Sequence, residues 1–297
     1  MADLLQVSIQ GLAFGAKLAL VALGFVVIFK ATGVINLGQG ALVLVGAYLA
    51  FNVTQTWGVP FVLAVVAAMA GGALTGALIE RVALRPLVGR PPFAAIISTI
   101  GVLYVVDQIV TSVWGFDNHD LGDPWGSRSV HVGDITIAVR DLWTFGLTAL
   151  ALAAFFAFFR WSSTGVAMRA SAGDPEAALA LGISPGRVYT LAWAISGAVA
   201  ALAGVTLASG SGQLSPGIAL IAFTAFPAII LGGLDSPGGA VIGGLAIGLS
   251  RTLSARYLDD LDLLGNNFHV VMPYLMMIVV LLVRPFGLFG TKQVRRV

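Results

Sequence analysis

Long apolar runs separated by short polar breaks extend from one end of the chain to the other. They fall at residues 9–29, 34–53, 59–79, 93–114, 142–159, 188–208, 218–231, 240–253 and 268–283. A helix needs roughly 20 apolar residues to cross a hydrocarbon core about 30 Å thick. The pattern therefore predicts an all-α polytopic membrane protein, a helical bundle of about eight or nine transmembrane segments.

The seventh and eighth runs are shorter than most of the others, and several glycines and a proline lie between them. Two arrangements fit this pattern: two short spans, or a broken and partly re-entrant pair. Irregular backbone at membrane depth is tolerated only where protein or a water-filled cavity covers it. The sequence leaves both arrangements of residues 218–253 open.

The composition agrees with a membrane domain and excludes several functions. The chain is 58% hydrophobic and 10% charged, whereas roughly a quarter of the residues in a soluble domain are charged. We therefore expect a single transmembrane domain over residues 1–297. Cysteine is absent, which excludes disulfides and thiolate metal sites, and no other metal site is expected. A net charge of +2 gives no reason to expect nucleic acid as a partner.

Basic and acidic residues occupy alternate loops, which predicts an orientation in the bilayer. The basic loops carry Arg81, Arg85 and Arg90, then Arg160, Arg169 and Arg187, then Arg284, Lys292, Arg295 and Arg296. The acidic loops carry Asp117, Asp120, Asp123 and Asp134, then Asp259, Asp260 and Asp262. Short basic loops stay in the cytoplasm. Nine crossings of the cytoplasmic (inner) membrane then place the N-terminus outside and the C-terminus in the cytoplasm. The start, MADLLQVSIQ, lacks the basic region of a secretory signal, so we expect the first run to be retained.

The loop at residues 115–141 is expected on the outer face and contains a β pattern. The segments SVHV and ITIAV alternate β-forming residues about the pair Gly133 and Asp134. Such a two-residue turn is typical of a hairpin. His119 and His131 lie in this loop without the spacing of metal ligands, so we expect them to be ordinary loop residues.

Glycines recur at a spacing that brings helices together. Pairs four residues apart occur at Gly11 and Gly15, Gly72 and Gly76, Gly239 and Gly243, and Gly244 and Gly248. Small residues at this spacing let helix backbones approach closely. The pattern predicts either a tightly packed bundle or a dimer face, and does not distinguish them.

The cytoplasmic loop at residues 161–187 contains the pattern of a short exposed helix. Asp174 is suited to cap the first turn, Pro175 to begin the helix, and Glu176 to lie at the positive end of its dipole. Gly182 is suited to end it in a left-handed conformation. A helix of about two turns is not stable alone, so it must pack on something. Either it lies on the membrane as a connector, or Leu179 and Leu181 contact a cytosolic partner.

The segment VINLGQG is the best candidate for a translocation path. Asn36 and Gln39 stand three residues apart, which we interpret as one helical face, and Gly38 and Gly40 allow close approach of backbone or substrate. Polar amides in an apolar segment usually face the interior of a bundle. The alternative is that they form structural hydrogen bonds between helices.

Ser98 and Thr99 invite the same two interpretations, although hydroxyls often bond to carbonyls of their own helix. Lys17 lies inside the first apolar run, where a cation costs about 3 kcal/mol on insertion scales. It either extends outward to the interface, pairs with an acid such as Asp107, or lines the pore and attracts an anionic group.

Five blocks of sequence resemble one transporter family. They are GVINLGQGALVLVGAYLAF (33–51), ERVALRPL (80–87), GVAMRASAGDPEAALALGI (165–183), AFPAIILGGLDSPGGAVIGG (225–244) and RPFGLFG (284–290). The chain resembles the permease subunits of branched-chain amino acid ABC importers, and the LivH type more than its LivM partner. The resemblance implies that residues 174–182 form the coupling helix, which sits in a cleft of the ATPase, with Arg169 and Arg187 at its edges. An uncharged residue is commoner near Lys17 in that family.

The resemblance also implies partners. The chain contains no G-x-x-x-x-G-K-[ST] phosphate loop, so ATP and Mg would be bound by two separate cytosolic ATPase subunits, and this chain is not expected to be an enzyme. An external substrate-binding protein would deliver the substrate. The second permease would be a LivM-like chain, or a second copy of this one.

Three alternatives remain at this point. The same class of importer can carry urea or short amides, and the apolar runs do not separate these cargoes. An ion-coupled secondary transporter generally shows intramembrane carboxylates, and here only Asp107, near a span end, is an obvious candidate. An intramembrane enzyme would need a catalytic set, and neither a His/Glu metal motif nor a G-x-S-x-G motif is present.

Overall fold

The computed structural model describes residues 2–126, 128–133, 135–173, 175–210, 213–259 and 267–291. The helices in this part of the chain are α1 (Ala2–Thr32), α2 (Gln39–Phe51), α3 (Phe61–Ile79), α4 (Pro92–Trp114), α5 (Val139–Trp161), α6 (Ser163–Gly173), α7 (Pro175–Ala180), α8 (Pro185–Ala208), α9 (Ile221–Gly232), α10 (Pro237–Tyr257) and α11 (Phe268–Val283). Short π or 3-10 turns extend α2 and α3 and precede α9.

Each of the nine predicted apolar runs overlaps one of these helices, and the runs at 34–53, 59–79 and 218–231 also include residues outside them. Among the described residues, five helices are long and apolar enough to cross a membrane: Asp3–Thr32, Phe61–Leu87, Pro92–Trp114, Val139–Trp161 and Pro185–Ala208. Two apolar helices are shorter, Pro216–Gly232 and Phe268–Val283. The predicted class, an all-α polytopic membrane bundle, is confirmed.

Helix α1 forms the centre of the bundle. In its most apolar stretch 78% of the residues are buried inside the protein, against 17% in each of α4 and α5. Its main neighbours are α10, α8 and α9. Helix α1 is thus enclosed by protein, whereas α4 and α5 present apolar side chains that lipid or another subunit must cover.

Glycine contacts bring the central helices together. A Cβ placed on Gly248 of α10 would lie 2.2 Å from the Cα of Gly15 in α1, and one on Gly197 of α8 would lie 2.1 Å from the carbonyl oxygen of Gly72 in α3. Only glycine leaves room for backbones this close. These predicted glycine pairs therefore serve packing within this chain.

The bundle is made of two similar halves that run in opposite directions. In the first half α1 to α4 follow one another, and in the second α8 to α11 do so. Helix α1 packs on α10, and α3 packs in the corresponding way on α8. The long helix of each half is followed by a non-helical stretch, residues 33–38 in the first half and the described residues 209–210 and 213–215 in the second, and then by a short helix. Inverted repeats of this kind are common among membrane transporters.

One end of the bundle, here called the hairpin face, carries the start of α1. The strands β1 (Ser129–Val132) and β2 (Ile135–Ala138) pair in antiparallel fashion there. The side-chain amide of Gln6 donates to the carbonyl of Thr136 (2.5 Å) and accepts from its backbone N–H (2.9 Å). The hairpin present at SVHV and ITIA thus covers the N-terminal end of α1.

The end of α10 also reaches this face, where the Asp3 carboxylate lies 3.4 Å from Arg256 Nε. Nearby, Asp259 accepts a hydrogen bond from the backbone N–H of His269 (2.9 Å) and another from its ring. Desolvation acts to raise the pKa of Asp259, but these hydrogen bonds hold it below its usual range. Together these contacts fasten the ends of α1, α10 and α11 on one side.

The opposite end, here called the α7 face, carries α6, α7 and residues 284–291. Arg85 bonds there to the first turn of α8, and the backbone N–H of Leu288 donates to the carbonyl of Leu231 (2.8 Å). Helix α10 connects the two faces. Its 21 residues correspond to about 31 Å, which is long enough for a full crossing.

Candidate coupling surface and transport path

The cytoplasmic loop predicted from the sequence folds into two helices rather than one. Helix α6, with 11 residues, was not predicted. Its buried residues are Gly165, Met168 and Ser171, spaced three apart along one face. Helix α6 packs against α5, α8 and α1 and supports α7, which follows it directly.

Helix α7 ends as the sequence pattern predicts. Gly182 has a left-handed φ of 81°. Its N–H donates to the carbonyl of Leu179 (2.9 Å), and the N–H of Ile183 donates to that of Ala178 (3.0 Å). These two bonds define a Schellman motif, which satisfies the last carbonyls of the helix. Of the residues predicted at its start, Asp174 lies outside the described residues, and Pro175 and Glu176 are described only as backbone of the first turn.

The two leucines predicted to contact a partner point away from the bundle. Leu179 is 60% exposed and Leu181 80% exposed, whereas Ala178, immediately before them, is buried. Arg169 in α6 and Arg187 in the first turn of α8 are also exposed. The structure therefore presents the exposed pair Leu179 and Leu181, with Arg169 on the helix before it and Arg187 on the helix after it.

An ion pair between a buried carboxylate and a partly exposed arginine joins the loop after α3 to the start of α8. Glu80, only 2% exposed, accepts hydrogen bonds from Arg85 Nε (3.1 Å) and Nη2 (2.9 Å) and from the hydroxyl of Thr190 (2.8 Å). Arg85 Nη2 also donates to the carbonyl of Gly186 (3.0 Å). We call this set the α3–α8 clasp. It was not predicted, and it connects α3 to the segment that leads out of α7.

In the polar segment 33–40, Asn36 and Gln39 form a sealed hydrogen-bond network, whereas Gly33 is exposed. Asn36 and Gln39 are 1% and 0% exposed. Asn36 Nδ2 donates to Gln39 Oε1 (3.0 Å), and its Oδ1 accepts from the N–H of Gly38 (3.0 Å). Asn36 thus lies in the turn before α2, and the interpretation of one helical face was wrong. Its side chain makes the turn that starts the helix.

Residues of three other helices complete this network. Thr99 of α4 accepts a hydrogen bond from the N–H of Leu37 (3.0 Å), and Ser196 of α8 donates to Gln39 Oε1 (3.0 Å). Gln39 Nε2 is buried without a hydrogen-bond partner among the described residues. A Cβ on Gly24 of α1 would lie 2.1 Å from that nitrogen. The break between α1 and α2 is therefore held by polar contacts to α1, α4 and α8.

The other residues predicted to line the path are Gly38, Gly40, Ser98 and Lys17. Gly38 and Gly40 are packing positions, because a Cβ there would lie 2.6 Å from the carbonyl oxygen of Thr99 and 2.1 Å from that of Ala219. Ser98 is half-buried in α4. The structure brings Asn36, Gln39 and Thr99 together, and it places Lys17 elsewhere.

Lys17 is half-buried and lines a cavity of about 850 Å³ that opens on the hairpin face. The acid that acts on it electrostatically is Asp141 at the start of α5. Asp107 instead acts on Tyr48. An acid was one of the predicted neighbours of Lys17, and the fold supplies Asp141 rather than Asp107, because it brings α5, not α4, to this side of α1.

The fold and these surfaces define a class: a polytopic membrane protein of inverted repeats with a short exposed helix on one face. Residues 7–281 match the sequence model of a family described as branched-chain amino acid transport system / permease component. The chain belongs to this family.

Similar proteins agree with this assignment. The chain is 34% identical to the high-affinity branched-chain amino acid transport system permease protein LivH of Salmonella typhimurium, over 99% of this chain and 97% of that protein. It is 31% identical to the corresponding protein BraD of Pseudomonas aeruginosa, over 99% and 98%. Both relatives are covered almost completely.

A solved structure supports the fold alone. A chain of PsaBC from Streptococcus pneumoniae, determined in complex with a Fab, superposes with a TM-score of 0.50 over 93% of this chain and 91% of its own length. The sequence identity is 15%. The architecture is therefore shared with a protein that has diverged far in sequence.

Proposed function

We propose that this chain is the transmembrane permease subunit of an ATP-binding cassette importer that carries branched-chain or related small amino acids. Its named relatives supply the cargo. The observation that carries the mechanism is α7, a short helix that projects Leu179 and Leu181 from a membrane bundle. The chain would move its substrate by alternating access and would make or break no bond in it.

The α7 face is proposed to be cytoplasmic. The basic residues Arg81, Arg85, Arg90, Arg169 and Arg187 belong to the loops and helix ends on this side. Short basic loops remain in the cytoplasm. This orientation places the N-terminus and the hairpin outside the inner membrane, and the C-terminus inside.

Two cytosolic ATPase subunits are proposed to bind ATP and Mg and to receive α7. Leu179 and Leu181 would enter an apolar cleft of the ATPase, and Arg169 and Arg187 would contact its rim. The positions Asp174, Pro175, Glu176 and Gly182 would set the start and end of this coupling helix. Its Schellman motif supports this role because it holds the exposed leucines in one fixed arrangement.

The α3–α8 clasp is proposed to carry the movement of α7 into the bundle. It joins Glu80 and Arg85 to Gly186 and Thr190, only a few residues beyond the end of α7. Leaving the buried Glu80 carboxylate without its partners is costly. A displacement of the α7–α8 junction would therefore move α3 with it.

The path itself is proposed to open beside the break between α1 and α2. Asn36, Gly38, Gln39 and Gly40 belong to this break, and Ser98 and Thr99 lie on the neighbouring helix α4. The sealed network corresponds to a closed conformation. A second permease, LivM-like or a copy of this chain, would cover apolar surface left exposed in the bilayer, and an external binding protein would dock on the hairpin face.

A pull-down in mild detergent tests the ATPase partnership. We expect tagged permease extracted from its native membrane to retain an ATPase subunit, which mass spectrometry identifies by its phosphate-loop sequence. Recovery of the permease with no ATPase, in a detergent that preserves other membrane complexes, would contradict the proposal and favour a secondary transporter.

A further inference from the structure

The cavity on the hairpin face follows one side of α1 down to its middle. Gln6, Gln10, Phe14 and Lys17 line it from that helix, at spacings of four, four and three that place them on one face. Helix α1 contains 31 residues, from 2 to 32, so Lys17 is its central residue. At 1.5 Å per residue its Cα lies about 22 Å from either helix end.

A lysine at this depth lies near the middle of the bilayer, where ionisable residues usually mark a functional path. Here Lys17 is half-buried and lines the cavity. Lys17 makes no hydrogen bond and no close ion pair with the part of the chain that the structure describes. Its charge faces open space that extends from the hairpin face.

An acid faces the same space. Asp141, in the first turn of α5, is half-buried and lines the cavity together with Lys17. The two groups act on each other electrostatically without forming a close ion pair, and Arg140, which also lines the cavity, acts on both. A ligand that carries both charges would satisfy both groups, and so offset the cost of keeping them away from bulk water.

The remaining walls fit a small amphiphilic molecule. Ala13, Phe14 and Leu207 supply an apolar surface, and Ser209 adds a hydroxyl. Arg128 and Asp123, one cation and one anion, lie exposed at the rim. Sites for small molecules typically combine such an apolar wall with a few fixed polar groups.

We propose that this cavity is a binding site for a zwitterionic α-amino acid within the permease, reached from the hairpin face. Lys17 binds the carboxylate, Asp141 binds the ammonium group, and the apolar side chain packs on Phe14 and Leu207. The proposal rests on the proposed function for its cargo, and adds that this chain itself recognises the charged end of the substrate.

Analogues that lack one charge test the site group by group. Permease purified with its partner subunits in nanodiscs, without the external binding protein, is titrated with radiolabelled L-leucine. Isoamylamine, which lacks the carboxylate, and 4-methylpentanoate, which lacks the ammonium group, serve as competitors. The wild type is expected to bind leucine at least tenfold more tightly than either analogue, because each lacks one of two charge-assisted hydrogen bonds.

Each of two variants should lose the preference of the wild type for leucine over one of the two analogues. Lys17→Met is expected to weaken leucine binding at least tenfold and to leave isoamylamine binding unchanged. Asp141→Asn is expected to abolish the preference over 4-methylpentanoate, and it tests the site from the opposite wall if Lys17→Met does not fold. Lys30→Met, which removes a cation from the far end of the same helix, should bind all three compounds like the wild type.

Several results would overturn the site. These are the absence of saturable leucine binding in the wild type, unchanged leucine binding in both cavity variants, or equal loss of leucine and isoamylamine binding in Lys17→Met. Equal loss of leucine and isoamylamine binding would show that Lys17 forms a structural ion pair with Asp141 instead of binding the carboxylate. ATP-driven leucine uptake with the binding protein, measured on the same preparation, reports on the proposed function separately.

Discussion

Replacing Leu179 and Leu181 together with aspartate is expected to abolish ATP-driven uptake while the amount of permease in the membrane stays unchanged. Both side chains are largely exposed, at 60% and 80%, so the fold loses little when they change. At an interface, burying a leucine contributes about 1.5–3 kcal/mol. Loss of both should weaken ATPase binding by at least about a hundredfold, since 1.4 kcal/mol corresponds to a factor of ten. Uptake into vesicles and co-purified ATPase report the effect.

The matched control for this pair is Ser163→Asp, which adds an acid at an exposed position in the first turn of the neighbouring helix α6. An acid is favourable at that end of a helix, and we expect wild-type uptake. Gly182→Pro should resemble the leucine variant, because proline cannot adopt the φ of 81° found there. Normal uptake by the double leucine variant would show that α7 is only a connector.

Gly248→Ala is expected to prevent stable folding of the bundle. The added methyl group would lie 2.2 Å from the Cα of Gly15, 2.3 Å from its nitrogen and 2.7 Å from the carbonyl oxygen of Gly11. All three atoms are backbone, so α1 and α10 must separate. Overpacking costs typically about 1–3 kcal/mol and occasionally more, and we expect the upper end because α1 is the centre of the bundle. Membrane abundance and thermal unfolding in detergent measure the loss.

Gly101→Ala provides the matched control, because it makes the same substitution inside α4, where a Cβ would meet no atom within 4 Å. Alanine is favoured over glycine in a helix interior by about 0.5–1 kcal/mol. We therefore expect this variant to be at least as stable as the wild type. Equal thermal stability of the two variants would contradict the close crossing of α1 and α10.

Patterns of neighbouring residues in the sequence were sufficient to predict most of the helices and the end of α7. Nine apolar runs identified nine helices, because membrane-spanning length depends only on consecutive residues. Gly182 ends α7 for an equally local reason, since the left-handed conformation there favours glycine. Helix α6 was missed because STGVAMRASAG mixes polar and small residues. Its spacing of Gly165, Met168 and Ser171 was the signal that could have revealed it.

The three-dimensional sites depend on contacts that no short pattern encodes. Glu80 and Thr190 meet although 110 residues separate them. The acid beside Lys17 is Asp141 rather than Asp107, and the choice depends on which helix packs on α1. Asn36 was misplaced because its side-chain turn delays the start of α2 until Gln39.

ATP-driven leucine uptake in a reconstituted system tests the central claim most directly. Permease, its partner subunits and the external binding protein are placed in liposomes with ATP on the α7 side and labelled leucine on the hairpin side. We predict accumulation of leucine that requires ATP and stops when vanadate blocks hydrolysis. Leucine uptake that proceeds equally well without ATP, driven by an ion gradient and insensitive to vanadate, would contradict the account.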